Sequence, residues 1–337
     1  MKKLISLACV LVVGLAAAFI WRASVSREAE TITVARCVGY CNLPLLLASE
    51  QAQGSARAKN GVHITLKYIG NPADHAVALA SAGGPIASVT PFTNVAAAYG
   101  SGKPLRIIAG SGMNGLALVG RADIHDLTSL KGRKIGTYRG DTLEALAYGT
   151  LEQAGLVGQV ELIYFTDPFE SLTALRSGKV DAITHVEPFV SQLVSEGMNR
   201  LATGEGLWHT DHPDCVLVTT ESHIRNDRVV LKALIRQMVQ AQHDIESDLS
   251  TVSQRIAQPF YKMPPEELMK AVQSQFPAID IRGLKGFVIA KSQFLVKLGY
   301  IPAPADDRLF DFSLLEEVIK ENPELFATLK KKYGTVP

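Results

Sequence analysis

The chemistry-bearing side chains of this chain fall into three groups. Cys37 and Cys41 flank Val38-Gly39-Tyr40, and Cys215 closes the run Trp208-His209-Thr210-Asp211-His212-Pro213-Asp214-Cys215. Thiolate, imidazole and carboxylate are all transition-metal ligands. However, no second closely spaced Cys or His pair joins Cys37 and Cys41 to complete a tetrahedral set, so a loop disulfide between them is the leading reading, ahead of a metal site. Neighbouring ligands on a Pro-containing loop rarely close one coordination sphere, and the His-rich run reads as a polar loop. No Gly-x-Ser-x-Gly elbow, His-Glu-x-x-His or Walker pattern occurs.

The third group is Lys134-Ile135-Gly136-Thr137-Tyr138-Arg139-Gly140-Asp141-Thr142. It reads as a short strand, a polar turn, and a helix carrying Leu143, Leu146, Ala147 and Leu151 on an apolar period. Backbone N–H groups at such a junction, with the positive end of the helix dipole behind them, can hold a polar ligand. The same geometry also serves as a purely structural turn, and this segment alone does not separate the two.

The elements that position these groups alternate. Thr31 to Ala35, Val62 to Ile69, Ile86 to Val89 and Leu105 to Ala109 read as strands separated by helices, with Gly110-Ser111-Gly112-Met113-Asn114-Gly115 as the loop after the fourth. The order begins again from Leu116 to Val119 through Val160 to Phe165 and Val180 to Thr184. Such spacing argues for two α/β units with mostly parallel sheets. After a further β run, Cys215 to Thr219, long amphipathic helices follow; Leu231, Leu234, Ile235, Met238 and Val239 share the face a sheet-packed helix needs.

At 337 residues the chain can form about two domains. Its formal net charge of +1 gives no electrostatic case for nucleic acid. Lys2-Lys3 precede an apolar run from Leu4 to Trp21, and Ala16-Ala17-Ala18 fits a cleavage site, so residues 1–28 read as an export signal or, uncleaved, as an anchor. Cys9 would leave with a cleaved signal, leaving three thiols and at most one internal disulfide.

At Leu130-Lys131-Gly132-Arg133-Lys134-Ile135-Gly136, then Leu151-Glu152-Gln153-Ala154-Gly155-Leu156, Ala174 to Ala182 and Glu187-Pro188, the sequence resembles the substrate-binding proteins of ABC importers. The group is that of the sulfonate, taurine, nitrate and thiamine-pyrimidine binders. Pro85, the lack of an acidic residue before the third strand, and the two cysteines of the first loop depart from the family pattern. The resemblance implies a type II periplasmic-binding-protein fold. Residues 29–115 and 222–337 would form one lobe and 122–215 the other, with 116–121 and 216–221 as hinge strands. It also implies an exported monomer, in the periplasm or tethered to the membrane, that binds a small organic solute (a sulfonate, a nitrate-like anion, a pyrimidine or a related molecule) and serves an inner-membrane permease. No cofactor, resident metal or catalytic residue is implied.

In the cleft so implied, loops at strand ends should converge: Tyr40 and Asn42, Phe92, Thr93 and Asn94, Ser111, Met113 and Asn114, Tyr138, Arg139 and Thr142, and His185 with Glu187. Tyr40, Phe92 and Tyr138 could enclose an organic ligand, and Thr93, Asn94, Ser111 and Thr142 could donate hydrogen bonds. Competing structural roles are helix capping for Thr93, Asn94 and Thr142, core packing for Phe92, and surface exposure or pairing with Asp141 for Arg139. The alternatives of another class are an exported metalloprotein, an enzyme like the thiamine-pyrimidine synthases (whose cysteine-rich iron-binding motif is absent here), and a membrane-anchored ligand sensor.

Overall fold

The computed structural model of the chain describes residues 30–54 and 61–334; the expected signal or anchor, with Cys9, lies outside them. The chain starts with three parallel strands, β1 (Thr31–Arg36), β2 (His63–Tyr68) and β3 (Ala87–Pro91). Parallel neighbours need crossover connections, and the helices Leu43–Gly54 and Asp74–Ala80 supply them. β4 (Leu105–Asn114) ends this first pass, and β5 (Leu116–Gly120), β6 (Lys134–Thr137), β7 (Glu161–Tyr164), β8 (Ala182–Val186) and β9 (Asn199–Thr203) build a second sheet in the order β7-β6-β8-β5-β9. β10 (Pro213–Thr220) and β11 (Gln275–Pro277) then return to the first, completing β11-β4-β10-β3-β1-β2. Two α/β lobes result, as the resemblance implies.

Both sheets are mixed, where mostly parallel sheets were expected. β10 runs antiparallel to β3 and β4, and β5 runs antiparallel to β8 and β9. The reason is connectivity: a chain that leaves one sheet and later re-enters it between existing strands is not held to the crossover direction. The expected loop from Gly110 to Gly115 is also strand as far as Asn114, because β10 pairs with β4 as far as Met113 while β11 pairs with its other edge through Asn114. Ser111, Met113 and Asn114 are therefore strand residues, not loop residues.

The crossings differ from expectation as well. Residues 116–120 lie wholly inside the second sheet and 216–220 wholly inside the first. The chain passes between lobes at Asn114-Gly115, with φ of +59° and +79°, and again through the short helix Gly204–Trp208 and His209, whose φ is +56°. These crossings are tied together. The Asn114 N–H donates to the His212 carbonyl at 2.9 Å, and the His212 N–H donates back to Asn114 Oδ1 at 2.9 Å.

The C-terminal helices cover the first sheet. Arg228–Ser247 buries Leu231, Leu234, Ile235, Met238 and Val239, the face read from the sequence. On the same lobe, the loop carrying Cys41 lies directly on β4: a Cβ on Gly112 would stand 2.2 Å from the Cys41 Cα. Backbone cannot yield as a flexible side chain does. Gly112→Ala is thus expected to lower stability by about 3 kcal/mol, read as a drop in the denaturant midpoint at unchanged slope. An unchanged midpoint would show that the loop moves freely off the strand.

Candidate ligand-binding cleft

Parallel strands deliver their C-terminal ends to one side of a sheet, where open α/β sheets place ligands. Here β1 delivers Cys37 and Val38, β6 delivers Tyr138 and Asp141 beyond it, and β8 ends in His185 and Val186, so the two lobes face one another across a cleft. Asp214 and Cys215 of β10 form part of the first lobe's wall, with Gly70 and Pro72. The space between the walls is about 430 Å³ counted out to its open mouth.

The lobes touch around it. The Tyr40 N–H donates to the Glu187 carbonyl at 3.0 Å, and the Thr93 and Thr142 hydroxyls, one from each lobe, meet at 3.2 Å. Tyr300, from the C-terminal helical region, donates its hydroxyl to Glu144 Oε1 at 2.9 Å. That carboxylate also accepts from the Tyr164 hydroxyl at 2.6 Å and the Gly140 N–H at 2.6 Å, which holds the turn after β6 in shape.

The first-lobe wall gathers all three described cysteines, every one buried and free. Cys37 Sγ lies 3.5 Å from Cys41 Sγ and 3.7 Å from Cys215 Sγ. This corrects the disulfide reading: Cys37 and Cys41 are non-bonded thiols, and a third cysteine, Cys215 of β10, lies beside them. Asn42 Nδ2 donates to Cys37 Sγ at 3.1 Å, to the Gly39 carbonyl at 3.0 Å and, at 3.4 Å, to Cys41 Sγ. Hydrogen bonds from Cys215 and Cys41 push the Cys37 thiol well below its ordinary pKa, while burial pushes Cys41 and Cys215 well above theirs.

Two buried carboxyls stand in the same cleft. Asp141 caps the helix Thr142–Gln153, accepting the Leu143 N–H at 2.9 Å, and burial raises its pKa to about 7. Asp214 Oδ2 accepts from Gln275 Nε2 at 2.8 Å, its Oδ1 has no partner, and burial holds this carboxyl well above the usual range. No lysine or arginine is among the cleft-lining residues. Arg36, at the end of β1, donates to the Cys37 carbonyl at 3.1 Å and lies over the Tyr68 ring.

Of the expected site residues, Tyr138 and His185 line the cleft. Tyr138 shares a 2.5 Å hydrogen bond with the Ser171 hydroxyl and stands edge-on to His185. The rest are placed otherwise. Tyr40 is buried against Tyr261 and donates to Met263 Sδ at 2.6 Å; Ser111 donates to the Cys41 carbonyl at 2.5 Å; Asn42 serves the thiols. Met113 is core, and Phe92 is core edge-on to Phe287. Asn94 is buried with its Oδ1 unpartnered. Asn114 holds the crossings together, also donating to Asp211 Oδ1 at 2.7 Å.

Neither Thr93 nor Thr142 caps its helix, since Pro91 and Asp141 occupy those positions. Arg139 points outward and stacks on Tyr164 at 4.0 Å. Glu187 turns onto its own helix, where Oε2 accepts the Ser191 N–H and Oε1 the Ser191 hydroxyl, each at 3.0 Å. The polar-loop reading of Trp208 to Cys215 holds for neither His212 nor Asp214, which are buried; His212 packs edge-on to Trp208 and stacks on Phe287. Sequence reasoning left out Asp214 and the cysteines as cleft residues. Only the close spacing of Cys37 and Cys41 signalled them.

His185 titrates with a defined sign. Its Nδ1 accepts the Val186 N–H at 2.9 Å, its Nε2 faces the Pro168 carbonyl at 3.3 Å, and burial lowers its pKa to about 4. The unfolded chain takes up this proton near pH 6.5, so the contribution is intact above that pH and is lost as pH falls from about 6.5 to about 4, roughly 3 kcal/mol in all. Asp141 works in the opposite sense: its raised pKa stabilises the fold below about pH 4 and costs stability as pH rises to about 7. Denaturant midpoints measured from pH 7 to 4 should therefore fall less in His185→Asn than in the parent. Equal slopes would dispose of the buried neutral imidazole.

A sequence comparison with curated proteins finds no match. Among solved structures, the ligand-binding component of an ABC-type import system from Staphylococcus aureus, with zinc bound, is similar at 17% identity and a TM-score of 0.74, covering 86% of this chain and 99% of its own. The nitrate-binding protein NrtA from Synechocystis PCC 6803 is similar at 16% identity and a TM-score of 0.74, covering 91% of this chain and 92% of its own. The alkanesulfonate-binding protein SsuA from Xanthomonas axonopodis pv. citri, bound to MOPS, is similar at 19% identity and a TM-score of 0.67, covering 87% of this chain and 99% of its own. These likenesses establish the fold. Residues 54–258 match the NMT1-like family, more than half of the sequence, and the chain belongs to that family.

Proposed function

We propose that this protein is the exported solute-binding component of an ABC import system, capturing a small solute between its lobes and handing it to a membrane permease without catalysing a reaction. The observation that carries the reading is the cleft: its two walls come from different sheets, its polar groups are buried, and the lobes meet around it through non-covalent contacts that can separate. Membership of the NMT1-like family supports it, as does the fold shared with nitrate- and alkanesulfonate-binding proteins. Two short crossings with backbone in the left-handed region supply a hinge on which closure can occur. The apolar run at the N-terminus suits export to the periplasm, by a cleaved signal or a retained tether. No described helix is long and apolar enough to cross a membrane.

A ligand that binds only the native state stabilises it, by about 2.7 kcal/mol at 100 times Kd. Thermal denaturation in the presence of sulfonates, nitrate, pyrimidines and amines should identify at least one that raises the melting temperature; failure of the whole panel would count against capture of a small organic solute. Closure makes a second prediction. Tyr300→Phe removes the hydroxyl that reaches Glu144 across the lobes, so affinity for that ligand should fall about tenfold, mainly through faster release. An unchanged release rate would mean that this contact does not hold the closed form.

A further inference from the structure

We propose that Cys37, Cys41 and Cys215 form a three-thiolate site for a thiophilic d10 cation, Cu(I) or Zn(II), on the first-lobe wall of the cleft. The three Sγ atoms lie within 4.8 Å of one another, with separations of 3.5 and 3.7 Å from Cys37. Sulfurs bound to one ion at about 2.3 Å stand about 3.8 Å apart in a tetrahedral arrangement and about 4.0 Å apart in a trigonal one. Bringing the thiols onto an ion therefore needs side-chain adjustments of only tenths of an ångström about Cys37. Soft thiolate donors select Cu(I) and Zn(II) over hard cations.

The surroundings point to the same class of ligand. Asp214, adjacent to Cys215 and only 1% exposed, keeps Oδ1 without a partner, and its Oδ2 lies 3.6 Å from Cys215 Sγ. A buried carboxylate oxygen with no donor is costly unless a cation or a proton answers it. Asn42 Nδ2 donates to two of the three sulfurs, the kind of outer contact that orients thiolate ligands. No lysine or arginine lines the cleft. All three thiols belong to one lobe, so the site is complete before the lobes close, and Tyr138, Asp141 and His185 of the other lobe line the same cleft. On binding, each thiol releases its proton to solvent and no electrons are transferred.

The inference deepens the solute-binding reading by naming a ligand class for the same cleft, and it rests on that reading only for what becomes of the ion. The test titrates the purified protein, reduced and kept free of oxygen, with Cu(I) or Zn(II) against a chromophoric chelator. X-ray absorption reads the first shell. One ion per chain and three sulfurs in its first shell are expected. Cys215→Ser, checked for native melting behaviour, should weaken binding on the order of 100-fold. The proposal is overturned if neither ion binds the unmutated protein through three sulfurs, or if Cys215→Ser binds as tightly as the parent. Small-angle scattering of the same samples keeps the two questions apart, since an ion bound without contraction leaves the site standing and counts only against the ion as the solute that closes the lobes.

Discussion

The seam where the chain crosses twice between lobes is the constraint on which the rest of the structure depends. Asn114 and His212 bind one another through backbone and side chain, and Gln275 adds a hydrogen bond from its Nε2 to the Asn114 carbonyl at 3.0 Å. Left-handed backbone at Asn114 and Gly115 lets β4 stop and β5 start within one residue in a different sheet. A Cβ on Gly115 would meet the Gln275 side chain at 2.4 Å, so a bare backbone is needed where the crossing passes beneath it. A loose seam would leave two sheets with no fixed relation. A tied one lets the lobes separate about short segments while their cores stay intact.

The same seam sets the chemistry of the cleft. Gln275 spans it, holding Asn114 with one hydrogen bond and Asp214 with another, and Cys215 follows Asp214 directly on β10. β10 lies between β3 and β4, and the loop after β1 rests on β4 at Gly112, so Cys215 is carried to Cys37 and Cys41 by sheet pairing and close backbone approach. Three thiols and two carboxyls then share a buried space without a lysine or arginine on its lining. Such a concentration of acidic groups is stable as neutral acids or around a cation, and poorly stable as bare anions.

On the proposed solute-binding reading, closure and recognition share residues as well. Glu144 shapes the turn after β6 through the Gly140 N–H and reaches Tyr300 on the opposite lobe, so the second wall is built by the residue that latches it. Thr93 and Thr142 sit in the first turns of their helices, one from each lobe, and their hydroxyls meet between the lobes. Glu187, which the sequence suggested for the cleft, contributes instead its carbonyl to Tyr40 and its carboxylate to a local cap.

What the sequence determined by itself is local and periodic. Strand-loop-helix alternation, the apolar face of Arg228–Ser247 and the family resemblance are all patterns within short windows. Tyr138 and His185 were legible as cleft residues because each directly follows or ends a strand of the second unit. Only the tertiary structure decided that the glycine-rich run from Gly110 to Asn114 is strand, since the pairing partners that make it so lie about a hundred residues or more downstream. It also decided the thiol cluster. Cys37 and Cys215 are 178 residues apart in sequence and 3.7 Å apart in the fold, a proximity set by strand order, which no local spacing encodes.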